Sequence, residues 1–385
     1  MNYKKTNFNK SLVIAITKIF NHLPVKKNKI FFYSYYGSQY GCNPKYISEY
    51  IAKNLPGKFD LVWAFSSLES NENIDGVRKV KVTSLRYIYE LCTSKIIITN
   101  FRTTDTFIKR KDQYYIQTWH SSLRLKQIEK DTENTLPKDY VKMAKEDSKK
   151  IDLLLSGCKY SSDIFKRAFW YYGEIFEHGT PRNDIFLKNN IVENKKIRCK
   201  LNINEDKKII LYAPTFRKNN KLDVYNIDYS LILNTLRNKF DNEWIFLVKL
   251  HPHLISKSKD LVLGEGVIDV TSYDDIQELL MLSDILISDY SSLMFDFALS
   301  EKPCFLYVPD IDEYIKVDRK LYFNIDQLPF ISVKNNDELK SSIEDFNFKS
   351  YRENLNKFLR EIGSFEDGRC CENLLKRIEK VCFKE

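Results

Sequence analysis

From residue 30 onward, short apolar runs alternate with stretches of helical period, and this alternation limits the chain to very few folds. The runs are Ile30 to Ser34, Asp60 to Phe65, Val80 to Val82, Lys95 to Thr99, Tyr114 to Thr118 and Ile151 to Ser156. A second set follows: Lys208 to Ala213, Trp244 to Leu250, Val267 to Val270, Ile285 to Ser288 and Cys304 to Val308. Uninterrupted apolar runs of this length suit parallel strands buried on both faces. Helical stretches between them, such as Lys45 to Asn54, Leu85 to Thr93, Ser161 to Tyr171 and Leu231 to Phe240, supply the crossovers of a parallel α/β sheet. Residues 187 to 207 interrupt the pattern with Asn and Lys, so a domain boundary is expected there. The resulting division is a basic N-terminal segment (1–28), a first Rossmann-like domain (29–190), and a second one with C-terminal helices (205–385).

The sharpest strand–turn–helix signal runs from Ser283 to Leu299. Ile285 to Ile287 form the strand, and Leu293, Met294, Phe297 and Ala298 recur at helical spacing. Between them, Asp289, Tyr290, Ser291 and Ser292 offer N-capping oxygens and hydroxyls at a strand's carboxyl end, where open α/β sheets bind ligands. Capping alone would also explain that cluster. Tyr160 to Ala168 repeats the pattern Y-S-S-x-[IM]-F-x-x-A of Tyr290 to Ala298, as two similar β/α halves would. Asp275 with Glu278 reads as a capping box.

The chain has 385 residues, enough for two domains, and its 43% apolar and 29% charged content is that of a folded globular protein. A net charge of +9 permits anionic partners without selecting one. The eight cysteines show no C-x-x-C pair or metal-ligand spacing, which suggests reduced thiols in a cytosol. No apolar run approaches the ~20 residues of a membrane span. Phe8, Leu12, Val13, Ile16, Ile19, Phe20 and Leu23 nevertheless share a helical face. Lys4, Lys5, Lys10, Lys18, Lys26, Lys27 and Lys29 surround it. Such a helix can lie on an anionic membrane surface, or pack on its own domain with a solvated basic side.

Of five histidines, His120, His178 and His251 fall at or just beyond strand ends, where an imidazole could serve as acid or base. Arg217, Lys249, Arg182, Arg124 and Lys126 are candidate phosphate ligands, each also readable as a surface charge. No P-loop, G-x-G-x-x-G fingerprint, nucleophile elbow or kinase set is present. The triplet Asp310-Ile311-Asp312 has a D-x-D form but follows the last strand of the second set, among other acids. We therefore expect a site without metal, in which cations and helix dipoles carry phosphate charge.

Gln117-Thr118-Trp119-His120, with Leu125-Lys126 and Lys130-Asp131, resembles a segment of the CDP-glycerol glycerophosphotransferases of teichoic acid and capsule synthesis. Further matches are Gly179 to Asp184, Tyr212 to Arg217, Leu250-His251-Pro252, Asp289 to Ser292, Phe295-Asp296, Lys302-Pro303 and Asp367-Gly368. They keep the family's order from about residue 30 to 370. The resemblance implies a GT-B-like architecture, two Rossmann-like domains facing across a cleft. It implies transfer of glycerol phosphate from CDP-glycerol to a hydroxyl of a lipid-linked acceptor, with release of CMP. His120 would be the base, with His251 the second catalytic candidate. His251, Arg217, Lys249, Asp289, Ser291 and Ser292 would hold the donor; Arg124, Lys126 and Arg182 would meet acceptor or phosphate. No cofactor, metal or nucleic acid is implied, and the place of action would be the inner face of the cell membrane. Ser121 stands where the family commonly has Gly after the motif His, a departure that bears on acceptor fit. Alternatives are the same chemistry with CDP-ribitol, a nucleotide-sugar glycosyltransferase of the same fold, and a catalytically inactive scaffold.

Overall fold

The computed structural model describes residues 10–68, 73–188, 190–217, 226–251, 254, 263–317 and 320–383. The chain divides into two compact units. One holds residues 1–120, 128–184 and 365–385, and the other 121–127 and 185–364. Every strand pairing in both sheets is parallel.

The first unit is built on seven strands. They are β1 (Lys26–Tyr33), β2 (Asp60–Phe65), β3 (Val77–Lys81), β4 (Ser94–Thr99), β5 (Tyr114–Gln117), β6 (Leu153–Leu155) and β7 (Glu174–Phe176). Their spatial order is β3-β2-β1-β4-β5-β6-β7. The order reverses between β1 and β4, the position at which doubly wound sheets bind ligands beyond the carboxyl ends. Alternate residues of β1 face opposite layers. Ile30 and Phe32 join one core with helix α2 (Cys42–Asn54) and the chain's last helix, Cys370–Phe383, through Ile47, Ile51, Leu374 and Ile378. The opposite face, with Phe31 and Tyr33, meets helices α1 (Lys10–Phe20) and α3 (Leu85–Thr93).

The second unit holds β8 (Lys208–Tyr212), β9 (Trp244–Val248), β10 (Val267–Asp269), β11 (Ile285–Ser288), β12 (Cys304–Tyr307) and β13 (Ile331–Val333). Their order, β10-β9-β8-β11-β12-β13, reverses between β8 and β11. The runs Ile209–Leu211 and Ile285–Ile287 are buried throughout, as central parallel strands should be.

Four expectations change. The last helix packs on the first sheet, not in the second domain. Its start is fixed because the Asp184 carboxylate accepts the N–H groups of Cys370 and Cys371 at 3.0 and 2.9 Å. The segment 187–207 contains a helix, Ile191–Leu201, closed by Asn202 in the left-handed region and by Arg198 donating to the carbonyls of Asn204 and Lys207. Asp275 caps its helix at the Gln277 N–H, one residue short of the position a capping box uses, and Glu278 accepts from the Tyr273 hydroxyl. Lys29 is no part of a basic ring. It is fully buried and donates to Glu90 and Thr93.

Helix α1 splits its apolar residues. Phe20 meets Tyr89 edge-on, and Thr17 is buried near Thr106. Leu12 and Ile19 stay 50% and 64% exposed, beside exposed Lys10 and Lys18. Lys4, Lys5 and Phe8 lie outside the described residues. Among the described residues no helix is long and apolar enough to cross a membrane. All eight cysteines are free thiols.

Candidate active site

In the first unit the motif histidine sits on a tightly specified turn. Strand β5 ends at Gln117, whose buried amide nitrogen donates to the Phe101 carbonyl at 2.9 Å. Its amide oxygen accepts the Trp119 N–H at 3.0 Å. That bond turns the chain, and Trp119 takes a φ of +48°, uncommon for a bulky side chain. The Trp119 ring is held edge-on against Phe169, and the Arg102 guanidinium lies 3.6 Å from the Phe169 ring centre. Arg102 is buried, paired with Glu129 and Asp147 at 3.3 and 3.4 Å.

Asn43 clamps the same turn. Its amide nitrogen reaches the carbonyls of Thr118, Trp119 and His120 at 3.4, 3.3 and 3.0 Å. Its oxygen accepts the Arg182 N–H at 3.1 Å. The His120 ring stacks on Tyr35 with centres 5.8 Å apart and planes 12° apart. Tyr35 follows β1 and donates its N–H to the side-chain oxygen of Asn100, just beyond β4, so this stack stands at the switch point. Tyr35, Tyr36, Cys42 and Trp119 all have positive φ. Strain held by surrounding packing concentrates at functional sites. Gly37 beside them leaves no room for a Cβ, which would come within 2.7 Å of the Ser66 nitrogen.

Arg182 is 4% exposed, with its guanidinium 3.5 Å from the Cys42 sulfur, so it lies inside the wall of this turn. The rest of its motif holds chain together. Asn183 and the Thr180 N–H bond Glu366, and Asp184 starts the last helix. His178 is exposed, against the Phe176 ring.

In the second unit the switch point between β8 and β11 carries a buried charge cluster. The Asp289 carboxylate accepts the Thr215 N–H at 2.8 and 3.0 Å and Arg217 Nη1 at 2.9 Å. Arg217 also donates to both oxygens of Asp310, at 2.7 and 3.1 Å, and to the Thr215 carbonyl. The Tyr290 hydroxyl donates to Asp310 at 2.9 Å, and the Tyr290 ring stacks on Tyr314 at 3.8 Å. Burial works against the Arg217 charge, but the two carboxylates outweigh it and raise its pKa. Burial would raise the Asp310 carboxyl, yet Arg217 holds it below the usual range. At 3% exposure Arg217 is committed to this cluster, and sequence reasoning passed over its partner Asp310.

Asp289 therefore orients a loop and is not a helix cap. The helix after it, Leu293–Phe297, has no side-chain cap. Ser291 and Ser292 stand half-buried at the same edge; Ser291 Oγ lies 3.4 Å from the Leu293 nitrogen and Ser292 Oγ 3.4 Å from the Leu125 nitrogen. Arg124 and Lys126 belong to this unit. Arg124 is buried and donates to the Ser121 carbonyl at 3.3 Å, while Lys126 lies 5.3 Å from the Tyr314 ring centre. His251, half-buried beyond β9, has its ring 5.6 Å from that of Phe216. Lys249 points elsewhere. Its amine is buried and donates to the carbonyls of Thr271 and Tyr273 at 2.7 and 2.5 Å, and burial lowers its pKa to about 8.

The structure thus gathers Arg217, Asp289, Ser291, Ser292, Lys126 and, beside Phe216, His251 at one sheet edge. In the other unit it places His120 on the turn after β5 and ties the Arg182 backbone to that turn through Asn43. Asn43, Tyr35, Asp310 and Tyr290 join them; in sequence they offered only a turn-prone Asn, a tyrosine inside the Y-S-S motif and the D-x-D triplet set aside above.

Comparison with known proteins matches residues 15–380 to the family described as CDP-glycerol:poly(glycerophosphate) glycerophosphotransferase. The teichoic acid poly(glycerol phosphate) polymerase of Bacillus spizizenii (strain ATCC 23059 / NRRL B-14472 / W23) is 33% identical over 379 residues, covering 94% of this chain and 95% of that protein. The polymerase of the same description from Bacillus subtilis (strain 168) is 33% identical over 374 residues, and there the chain spans only half of the relative's length. The teichoic acid poly(ribitol-phosphate) polymerase of the Bacillus spizizenii strain is more distant, at 29% identity over 96% of this chain and 59% of that protein. The structure of the wall teichoic acid polymerase TagF superposes with a TM-score of 0.85 at 31% identity, covering 97% of this chain and 93% of that one. A histidine-to-asparagine variant of TagF soaked with CDPG superposes equally well. The fold is GT-B-like, with two parallel-sheet α/β units.

Proposed function

Because the chain belongs to the CDP-glycerol:poly(glycerophosphate) glycerophosphotransferase family, we propose that it transfers glycerol phosphate from CDP-glycerol to a hydroxyl of a lipid-linked acceptor in teichoic acid synthesis, releasing CMP. The observation that carries this reading is the placing of the motif residues. His120 meets the switch point of one sheet, and the Thr215–Asp289 loop with Ser291 and Ser292 forms that of the other.

In the reaction, the acceptor oxygen bonds to the β-phosphorus as the bond from that phosphorus to the bridging oxygen breaks. CMP leaves with the electron pair. His120 takes the acceptor's proton, the general-base role that an imidazole can fill. The Ser291 and Ser292 hydroxyls and His251 hold the donor phosphates, which steadies charge as it moves to the leaving group. Arg217 acts through the loop it braces, and Asn43 through the turn that carries His120. Lys126 and Arg124 add positive charge on the donor unit, and Arg182 supports the His120 turn.

The enzyme works at the inner membrane face, with Leu12 and Ile19 of α1 entering the interface and Lys10, Lys18, Lys26 and Lys27 meeting anionic headgroups. Purified protein given CDP-glycerol or CDP-ribitol, with CMP measured by chromatography, tests the donor. Release from CDP-glycerol in preference is expected; preferential release from CDP-ribitol would overturn it. Co-sedimentation with anionic vesicles should fall with added salt and for Leu12→Glu/Ile19→Glu. Unchanged sedimentation would remove the membrane role of α1.

A further inference from the structure

On the face of the first sheet away from the last helix lies a cavity of about 630 Å³. Its floor is Phe31 of β1 and Ile97 of β4, the strand pair at the switch point. Its far walls are Ile88 and Leu91 of α3, and Val13 of α1 forms its roof. Protein interiors are close-packed, and voids above the size of a water are few. A space of this size falls instead within the ~300–1,000 Å³ typical of ligand pockets. Among the described residues its lining holds one charged side chain, Lys10, which sits at the rim and pairs with Asp105.

Hydroxyls such as those of Thr83, Thr99 and Thr103 also line it, but hydroxyls carry no charge, so the interior disfavours a nucleotide or a phosphorylated polyol, whose charge would lose water there and find no counter-charge. It suits a hydrocarbon chain. Two neighbours say where such a chain comes from and where it leads. The roof helix shows Leu12 and Ile19 to the outside, next to lysines, so the cavity lies beneath a surface suited to a bilayer. Tyr36, at its other end, is the chain neighbour of Tyr35, on which His120 stacks.

We propose that this cavity binds the hydrocarbon chain of the lipid-linked acceptor, drawn from the membrane under α1, while the polar end stays at the carboxyl edge on the side of His120. The assignment rests on the function proposed above and adds the subsite that recognises the lipid. Every methylene kept from water is worth about fourfold in affinity, so even a partly filled cavity would separate tailed from tailless acceptors.

Val13→Trp and Ile88→Trp fill the space from opposite walls. For the full chain, each should raise the KM of a long-chain acceptor at least about tenfold, the equivalent of losing roughly two buried methylenes. The KM values of CDP-glycerol and of a tailless glycerol-phosphate acceptor should stay as they are, and vesicle sedimentation should not change. Equal KM effects on tailed and tailless acceptors would overturn the proposal. Loss of vesicle binding in parallel with the KM effect would assign the cavity to a membrane phospholipid instead. Binding of dodecyl phosphate, read by calorimetry, requires no turnover. If the chain binds it but releases no CMP from CDP-glycerol, the functional reading fails and the cavity stands as a hydrocarbon site. If either variant fails to fold, a diazirine-bearing alkyl phosphate on the unaltered protein decides the matter. Label on α1, α3 or residues 97–107 supports the site, and label only elsewhere refutes it.

Discussion

Replacing Arg217 by Met should damage stability before it damages donor recognition. The guanidinium is 3% exposed and neutralises Asp289 and Asp310, whose side chains are 2% and 12% exposed. Met keeps much of the volume but leaves both carboxylates without their cation. Breaking a buried ion pair from one side costs about 3–5 kcal/mol. Urea unfolding followed by circular dichroism should show a loss of that order at pH 7. The pH dependence carries a definite sign. Arg217 depresses the Asp310 carboxyl, so this pairing contributes fully above the unfolded value of about 3.9 and is lost as pH falls through the lower folded value. In Arg217→Met the main influence lowering Asp310 is gone and burial is opposed only by the Tyr290 hydroxyl and a backbone bond, so Asp310 shifts upward, the penalty belongs to the ionised form, and protonation on acidification relieves it. The gap between the two proteins should therefore narrow as the pH is lowered from 7, and adding Asp310→Asn should recover part of it at pH 7. A gap under about 1 kcal/mol, or one that ignores pH, would show that Arg217 is not the brace described here. Lost CDP-glycerol affinity at full stability would instead make it a direct phosphate ligand.

Lys249→Met should leave CDP-glycerol affinity unchanged, since its amine faces the Thr271 and Tyr273 carbonyls; a large loss by calorimetry would return it to the site. Its depressed pKa of about 8 also means that the folded state resists the charge, so stability should rise with pH between about 8 and 10.4, and the Met variant should flatten that rise. Asn43→Ala should remove the bonds to the Arg182 N–H and the His120 carbonyl, costing about 0.5–1.5 kcal/mol for each, and lower kcat more than the KM for CDP-glycerol. An unchanged kcat in a folded variant would mean that Asn43 does not position His120.

Much of the fold was legible because central parallel strands announce themselves. Ile96–Ile98 and Ile285–Ile287 are buried on both faces, and no other element tolerates such runs so near to turns. The helix Ile191–Leu201 was hidden because its apolar residues do not mark a face. Ile191 and Val192 are about 60% exposed, and its end is held by backbone and by Arg198. The last helix has a clear apolar face, but periodicity cannot say which sheet that face will meet; Asp184, far back in the chain, decides it.

The site shows the same division. Motif residues such as His120, Asp289 and Ser292 could be singled out in sequence because they follow strands, at whose carboxyl ends α/β sheets carry ligands. Which cation binds and which braces was not legible. Lys29, Lys249 and Arg217 look like surface or phosphate charges in sequence, and all three are buried with partners brought from distant segments. Asp310 was set aside as one acid among several. Its role depends on Arg217, 93 residues earlier, and such pairings leave no local mark.

The central claim is that His120 is the base of a transfer that releases CMP. The measurement that tests it most directly is CMP release from CDP-glycerol by His120→Ala beside the unaltered protein, with donor affinity and circular dichroism on the same samples. Turnover should fall by about 10²–10⁴-fold, the usual contribution of a general base, while the folded variant binds CDP-glycerol as tightly as before. Near-normal CMP release by a folded His120→Ala protein would contradict the account and move the base to His251 or His178.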